Sequence, residues 1–310
     1  MALVNNMPDA AFVDTEEQFR RVTAPAAGET PVELELYTLA GISRGDGAAA
    51  AIRSRYRGLD QLWDQPPDAL IVTGTEPAQA QLHYEPYWPY LARLLEWAAE
   101  SVATTMLSCL AAHAYTLLFD GIERVPRAVK CTGVFAGALE EPDDPLAEAL
   151  PELVPVPHSR VNDVPEAALT DAGYRIVIGS GDTGAGWSVA TRGHGGSLFV
   201  LCQGHPEYST ESLLREYRRD VRRSLFGRGA VAYPTIPDGY LGPEQTATLD
   251  AFAAQAAAGG ADPRELWERF PYGEVVAQVQ NTWSGPAGLF YANWLGRARA
   301  ELSAPRGPRA

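Results

Sequence analysis

Residues 103–119 read ATTMLSCLAAHAYTLLF, and this stretch decides the fold. The run ATTML combines β-branched and apolar side chains, which predicts a short buried strand. The run from Leu110 to Phe119 is rich in alanine and leucine, which predicts a helix. Cys109 therefore lies at a turn where a strand ends and a helix begins.

Short apolar runs alternate with amphipathic stretches on the N-terminal side of this turn. The predicted strands are Ala2–Val4, Val32–Leu39 and Ala69–Val72, and the predicted helices are Asp14–Val22 and Trp88–Ala99. This βαβα rhythm predicts an α/β fold, flavodoxin-like, with a mostly parallel sheet flanked by helices.

The pattern changes after the helix that follows Cys109. Strand-like segments separated by Gly- and Asp-rich turns predict a smaller antiparallel extension, formed by Ala128–Phe135, Tyr174–Ile178, Trp187–Thr191 and Leu198–Cys202. A charged amphipathic helix is predicted at Thr210–Leu225. Two more are predicted near Pro243–Ala257 and Leu289–Leu302. We expect a main domain over residues 1–230, a helical extension packed on it over 231–302, and a disordered tail over 303–310.

Composition excludes several classes of partner. The formal net charge of −14 argues against nucleic acid, because no wide basic face is available to neutralise phosphates. We expect no membrane span, since no apolar run approaches the roughly 20 residues required. Three cysteines make no disulfide framework, and we see no secretion signal, which together predict a cytoplasmic location. The five histidines are scattered, so no metal site is predicted.

Cys109 is a candidate nucleophile because of its position. Free backbone N–H groups and the dipole at a helix start stabilise a thiolate. The same N–H groups can hold the oxyanion of a tetrahedral intermediate. The alternative is a buried structural cysteine, which is the commoner role of this residue.

A candidate base follows the strand that ends at Cys202, where the chain reads Gly204-His205-Pro206-Glu207. His205 and Glu207 are two residues apart, so both can project to one side of an extended segment. Glu207 can then orient His205, which deprotonates Cys109. The alternative is a surface loop with an incidental histidine and glutamate, but the strand–Cys–helix pattern upstream strengthens the catalytic interpretation.

Lys130 is the only lysine among 25 basic side chains. An ammonium is a compact charge on a flexible stem, and a guanidinium does not replace it in a tight site. The single lysine therefore indicates a functional position, although a chance survivor in an arginine-biased chain remains the alternative.

Together these segments resemble the homoserine O-succinyltransferase/O-acetyltransferase family, which has the class I glutamine-amidotransferase-like fold. The matching segments are Met7-Pro8, Glu17-Gln18-Phe19, Ala69–Gly74, Tyr87-Trp88, Cys109, Lys130–Val134, Pro157–Arg160, Gly204–Tyr208, Arg219-Asp220 and Asn293-Trp294-Leu295. So many ordered matches identify the chain as a divergent member. The resemblance assigns residues 1–230 to the catalytic domain.

The resemblance implies an O-acyltransferase of methionine biosynthesis that moves a succinyl or acetyl group from acyl-CoA to homoserine or a related amino acid. Cys109 would carry the acyl group as a thioester, with His205 as base and Glu207 as its orienter. No tightly bound cofactor is implied, and a homodimer is compatible with the family. The other implied roles are an oxyanion hole at Gly74, Thr75 and Leu110, and substrate binding by Lys130, Ser159, Arg160 and Arg219.

For Arg219 the alternative is a salt bridge with Glu216 or Asp220 on its own helix. Within this family, acetyl users tend to carry glutamate at the position of Ala78, and succinyl users carry a small residue. Ala78 therefore favours succinyl, although Glu76 lies two residues away.

Departures from the family pattern leave the acceptor open. The residues after Met-Pro are Asp9 and Ala10 where lysine is usual, Leu110 replaces a tryptophan, and His113 replaces a glutamine. Serine or a specialised amino acid is an alternative acceptor. Two other functions compete: an amidase or glutaminase with the same triad, and a binding or regulatory protein without activity.

Overall fold

The computed structural model describes residues 1–26, 32–181, 183–227, 231–260 and 262–303. Residues 301–303 are described by their backbone alone. Its strands are β1 (Ala2–Val4), β2 (Glu35–Tyr37), β3 (Ala69–Val72), β4 (Thr104–Ser108), β5 (Val125–Ala138), β6 (Leu153–Asp163), β7 (Arg175–Ile178), β8 (Val189–His194) and β9 (Ser197–Cys202). Seven of them form one sheet, in the order β2-β1-β3-β4-β9-β8-β7. β5 and β6 form a separate antiparallel pair.

Helices connect most of the strands. They are α1 (Asp9–Ala26), α2 (Asp46–Arg55), α3 (Leu59–Asp64), α4 (Trp88–Ser101), α5 (Leu110–Asp120), α6 (Glu166–Asp171), α7 (Ser212–Phe226), α8 (Pro243–Ala258), α9 (Pro263–Glu268), α10 (Tyr272–Val276) and α11 (Ser284–Ser303). Single 3-10 turns lie at Leu82–Tyr84 and Pro145–Ala147. Within the described ranges, no helix combines the length and apolar character that crossing a membrane requires.

The main sheet is mostly parallel. β2, β1, β3, β4 and β9 run in one direction, and β8 and β7 complete the sheet with antiparallel pairing. Helices cover both faces, as the apolar strands require. In β3, Leu70 and Val72 contribute to the core beneath α4 and α5, whereas Ala69 and Ile71 face the core beneath α1 and α11. The predicted α/β architecture is therefore confirmed.

A third core lies between α7 and the helices that follow it. Tyr217 and Val221 of α7 pack with Leu249 of α8, Phe270 and Val275. α11 instead returns to the main sheet and packs against α1. Helices after residue 230 thus pack on the main body in two places, and the division at that residue stays a prediction. A disordered tail was predicted over residues 303–310. Ser303 is the last residue of α11, and residues 304–310 lie outside the described part of the chain.

Two strand predictions need correction. Only Glu35–Tyr37 of the predicted Val32–Leu39 strand is extended in the sheet, because its neighbour β1 offers three residues for pairing. Leu198–Cys202 was expected in the antiparallel extension. It lies inside the main sheet as part of β9, because it pairs in parallel with β4. That pairing brings the ends of β4 and β9 together.

Candidate active site

Cys109 occupies a strained turn between β4 and α5. Its backbone has φ 50° and ψ −106°, a conformation that side chains other than glycine rarely adopt. The Cys109 N–H donates to the carbonyl oxygen of Cys202 at 2.7 Å, which ties the turn to the end of β9. The turn presents the partly exposed sulfur at the N-terminus of α5, as a nucleophile elbow does.

His205 and Glu207 follow β9 and reach the same place. The His205 Nδ1 and Glu207 Oε1 atoms are 2.9 Å apart, and both side chains are buried. The Cys109 side chain is close enough to the imidazole to raise its pKa. Because the carboxyl ends of neighbouring parallel strands meet at one sheet edge, β4 and β9 deliver the nucleophile and the base side by side.

The electrostatics of this trio favour a charged imidazole. Burial by itself lowers the pKa of His205, but the charges of Glu207 and Cys109, with hydrogen bonds to both, outweigh burial. The pKa of the imidazole is therefore well above its ordinary value of 6.5.

Three further side chains are connected to the trio, and the sequence analysis assigned none of them to it. The Ser108 hydroxyl donates to Glu207 Oε1 at 3.1 Å, so this oxygen accepts two hydrogen bonds. Tyr208 stacks on His205, with ring centroids 4.2 Å apart and planes 17° apart. The Tyr208 hydroxyl donates to Glu216, which links the trio to α7.

The loop after β3 passes close to the start of α5. A Cβ atom built on Gly74 would lie 2.9 Å from Leu110 Cβ and 3.0 Å from Leu110 N, so a larger residue would force the two segments apart. The N–H of a first helical residue has no acceptor within its own helix. Gly74 and Leu110 thus lie together beside the nucleophile, and the oxyanion hole of Gly74, Thr75 and Leu110 stays a prediction.

A charged cluster lies beside the trio, where β5 and β6 face α7. Lys130 Nζ is 2.8 Å from Asp220 Oδ2 and 3.6 Å from Glu216 Oε2. Arg219 is 3.1 Å from Asp220 and 3.7 Å from Glu216, so the predicted salt bridges within α7 are present. The Ser159 hydroxyl donates to Glu216. The structure therefore brings together the predicted substrate-binding residues Lys130, Ser159 and Arg219.

The two carboxylates of this cluster are held ionised. Burial raises the pKa of Glu216, but the charges of Lys130 and Arg219 outweigh it and leave the pKa below its ordinary value. The pKa of Asp220 is also lowered, because the Lys130 hydrogen bond and charge outweigh burial. The cluster therefore offers charges of both signs.

Arg160 lies apart from this cluster. Its guanidinium is buried and contacts Asp163 at 2.6 Å, Cys131 Sγ at 3.5 Å, His158 and the carbonyl oxygen of Ala185. All three nitrogens are thus engaged within the protein. This geometry gives Arg160 a role in holding the β5–β6 pair, and its predicted contact with a substrate carboxylate remains untested.

Ala78 lies on the exposed part of the loop after β3. In the same loop, Glu76 forms an ion pair with Arg223 of α7, with the closest atoms 2.9 Å apart. Glu76 could have acted in place of a glutamate at position 78, but its carboxylate is paired with Arg223.

Within the described ranges, no group of three or more His, Cys, Asp or Glu side chains has the geometry to hold a metal ion. His113, the departure one turn into α5, is buried and its Nε2 lies 3.0 Å from Gln203 Oε1. It is therefore a core histidine.

Burial lowers the pKa of His113 from 6.5 to about 4, against a smaller opposing effect from Gln203. The unfolded chain binds a proton at this residue below about pH 6.5, and the folded chain does not until about pH 4. We therefore expect the free energy of unfolding to be unaffected by His113 above pH 6.5. As the pH falls from 6.5 to 4, protonation of His113 in the unfolded chain should lower the free energy of unfolding by about 3 kcal/mol.

The measurement is urea unfolding of the wild type and His113→Gln at a series of pH values. Glutamine can still donate to Gln203 but does not titrate. The difference in unfolding free energy between the two proteins should change across this window in favour of the variant. Parallel pH curves would show that His113 titrates normally.

The chain is similar to proteins of one known family over most of its length. A family model described as Homoserine O-succinyltransferase matches residues 1–301. The homoserine O-succinyltransferase of Methylorubrum extorquens is 42% identical over 95% of this chain and 86% of its own length. That of Bradyrhizobium japonicum is 41% identical over 96% of this chain and 89% of its own. Among solved structures, a glutamine amido transferase from Methylobacillus flagellatus has a TM-score of 0.49 at 13% identity, covering 100% of this chain and 98% of its own.

Proposed function

Because the chain belongs to the homoserine O-succinyltransferase family, a family of acyltransferases, we propose that it transfers a succinyl group from succinyl-CoA to the hydroxyl of homoserine. The observation that carries the proposal is that Cys109, at a strained turn, lies beside His205, which is hydrogen-bonded to Glu207. We place the reaction in the cytoplasm, where a thiol such as Cys109 stays reduced.

In the first half-reaction, the Cys109 thiolate attacks the thioester carbonyl of the donor. The N–H groups of Thr75 and Leu110 stabilise the oxyanion of the tetrahedral intermediate, which Gly74 leaves room to approach. The intermediate collapses with cleavage of the carbon–sulfur bond to CoA. The departing thiolate takes the proton from His205, so CoA leaves as a thiol and the succinyl group remains on Cys109.

In the second half-reaction, His205 accepts the proton of the acceptor hydroxyl while its oxygen attacks the Cys109 thioester. Collapse of the second intermediate releases the ester and regenerates the Cys109 thiolate beside the protonated His205. Glu207 keeps Nδ1 of the imidazole protonated and stabilises its positive charge in both halves.

The charged cluster suits an amino-acid acceptor, which is a zwitterion. We assign its carboxylate to Arg219, whose planar fork matches a carboxylate and whose present partners are carboxylates of its own helix. Glu216 then faces the ammonium group. Lys130 keeps Glu216 and Asp220 ionised, and Ser159 orients Glu216 through its hydrogen bond.

A matrix of donors and acceptors on the purified protein tests this proposal. Succinyl-CoA and acetyl-CoA are each combined with homoserine and serine, and release of free CoA thiol is followed. We expect the highest kcat/KM with succinyl-CoA and homoserine. Turnover of glutamine without any dependence on CoA would instead establish the amidase alternative.

We expect Ala78→Glu to shift donor preference from succinyl-CoA towards acetyl-CoA. A carboxylate at position 78 would repel the terminal carboxylate of the succinyl group, with little effect on an acetyl group. The ratio of kcat/KM for the two donors should fall about tenfold or more. Ala78→Gln is the matched control, because it adds the same bulk without charge. If both variants change the ratio equally, size and not charge selects the donor.

A further inference from the structure

Helix α7 is unusually basic for so acidic a chain. It carries Arg215, Arg218, Arg219, Arg222 and Arg223, five of the 25 basic side chains in a protein of net charge −14. The helix also borders the proposed active site through Glu216 and Asp220. The net negative charge of the chain already favours solubility. The local excess of arginine on α7 therefore indicates another role.

The arginines of α7 do not share one environment. Arg215 pairs with Asp14 and Glu211, and Arg218 lies over the aromatic ring of Trp267. Arg219, Arg222 and Arg223 are exposed to solvent, on the opposite side of the helix from its buried apolar face.

Spacings of three and four residues place Arg219, Arg222, Arg223 and Phe226 along one stripe of the helix. We call this set the α7 basic stripe.

Arg222 is the free cation of the stripe. Throughout the described part of the chain, no carboxylate lies within ion-pair distance of it. Its guanidinium carbon instead lies 5.5 Å from the ring centroid of Phe226, which is 42% exposed. An exposed aromatic ring beside an unpaired arginine is an arrangement that stacks a nucleotide base and binds its phosphates.

We infer that the part of the α7 basic stripe beyond Arg219 binds the nucleotide end of the acyl-CoA donor, with phosphates on Arg222 and Arg223 and adenine on Phe226. This inference rests on the proposed function, since it locates the donor of that reaction. It accounts for the excess of arginine on one face of α7 in an acidic protein. Arg223 is shared with Glu76 and Asp220 in the free protein, so Arg222 supplies the uncompensated charge.

The length of the donor fits this placement. Glu216 is linked to His205 through Tyr208, and Phe226 lies ten residues further along α7. Ten helical residues span about 15 Å. The uncharged pantetheine arm of CoA has the reach of about five extended residues, roughly 16 Å. An arm of that length covers the rise of α7 from Glu216 to Phe226, so with the phosphates on Arg222 part of the arm is left to extend past Glu216 towards Cys109.

Calorimetric titration with free CoA and with pantetheine tests the inference without relying on catalysis. Pantetheine carries the thiol and the arm but lacks the nucleotide. We expect Arg222→Glu to weaken CoA binding about tenfold to a hundredfold, the range for loss of a charge-assisted hydrogen bond. The affinity for pantetheine should change far less. Phe226→Ala should also weaken CoA selectively, and Arg222→Lys should retain most of the affinity.

Arg53→Glu is the matched control, because Arg53 is exposed on α2 and the substitution makes the same change in charge. Wild-type affinity for CoA in Arg222→Glu would overturn the inference, as would equal losses in Arg222→Glu and Arg53→Glu. Failure of the proposed function is a separate result, namely CoA binding that depends on Arg222 without acyl transfer from any donor.

Discussion

Replacing Cys109 with alanine is expected to abolish acyl transfer, with a fall in kcat of about 10⁴-fold or more. The substitution removes the atom that forms the thioester, and the oxyanion hole has no covalent intermediate to stabilise. A φ of 50° is equally unfavourable for alanine and for cysteine, so the backbone strain of the turn is unchanged. The midpoint of thermal unfolding should therefore stay close to that of the wild type.

The intermediate itself is the sharper measurement. Wild-type protein incubated with labelled succinyl-CoA in the absence of acceptor should retain one labelled group, on the peptide that contains Cys109. Cys131 and Cys202 are internal controls, because burial raises the pKa of both thiols and keeps them unreactive. Label on either of these peptides, or turnover in Cys109→Ala, would remove Cys109 from its proposed role.

The position of Cys109 could be predicted because it depends on local pattern. An apolar run followed by a helix-forming run indicates a strand–turn–helix unit. A second apolar run ends at Cys202, and the base, His205, follows it. What sequence alone did not establish is that β4 and β9 are neighbours in the sheet, 94 residues apart along the chain between Thr104 and Leu198. The resemblance to a known family supplied that step.

The residues that sequence reasoning missed act across elements. Ser108 directly precedes the nucleophile and belongs to no motif of its own, yet its hydroxyl donates a hydrogen bond to Glu207. Glu216 was considered only as a partner that might neutralise Arg219. Its spacing of three and four residues from Arg219 and Asp220 was a usable signal, since it places all three on one helix face. The contact between Tyr208 and His205 depends on side-chain stacking, which spacing does not reveal.

Arg160 and Ser159 lie in different surroundings, although both are predicted to bind substrate. Arg160 directly follows Ser159 in a segment that matches the family, so a role beside its neighbour was expected. In a strand, however, successive side chains point to opposite faces. Ser159 therefore faces the α7 cluster, whereas Arg160 points into the layer that contains Asp163 and Ala185. Alternation along β6 was the available signal.

The short helices were missed for a different reason. α3, α9 and α10 have six residues or fewer, too few for helical periodicity to stand out from a loop. α2 has ten residues, but none of them is buried, so it lacks the apolar stripe that would have marked it. These elements take their structure from the body on which they lie.

Replacing Glu207 with glutamine should lower kcat about a hundredfold to ten-thousandfold, as loss of the orienting carboxylate does in other triads. Glutamine keeps the size and one acceptor oxygen but removes the negative charge from His205. The imidazolium is then no longer stabilised, and the pKa of His205 should fall, because the Glu207 charge is the largest of the effects that raise it. NMR titration of the imidazole measures this shift directly.

The sign of the accompanying stability change follows from the same pKa. A histidine whose pKa is raised on folding contributes stability below its unfolded pKa, and this contribution is lost as pH rises through the folded value. The stability of the wild type relative to Glu207→Gln should therefore be greatest at and below pH 6.5 and should shrink as the pH increases.

Ser108→Ala is the matched control for the carboxylate. It removes the other hydrogen bond to Glu207 Oε1 and leaves the charge in place. We expect a loss of kcat of only about tenfold, because one hydrogen bond to the carboxylate is lost and its charge is kept. If Ser108→Ala and Glu207→Gln reduce kcat equally, Glu207 acts through its position alone. The charge that holds the proton on His205 would then have to come from Cys109.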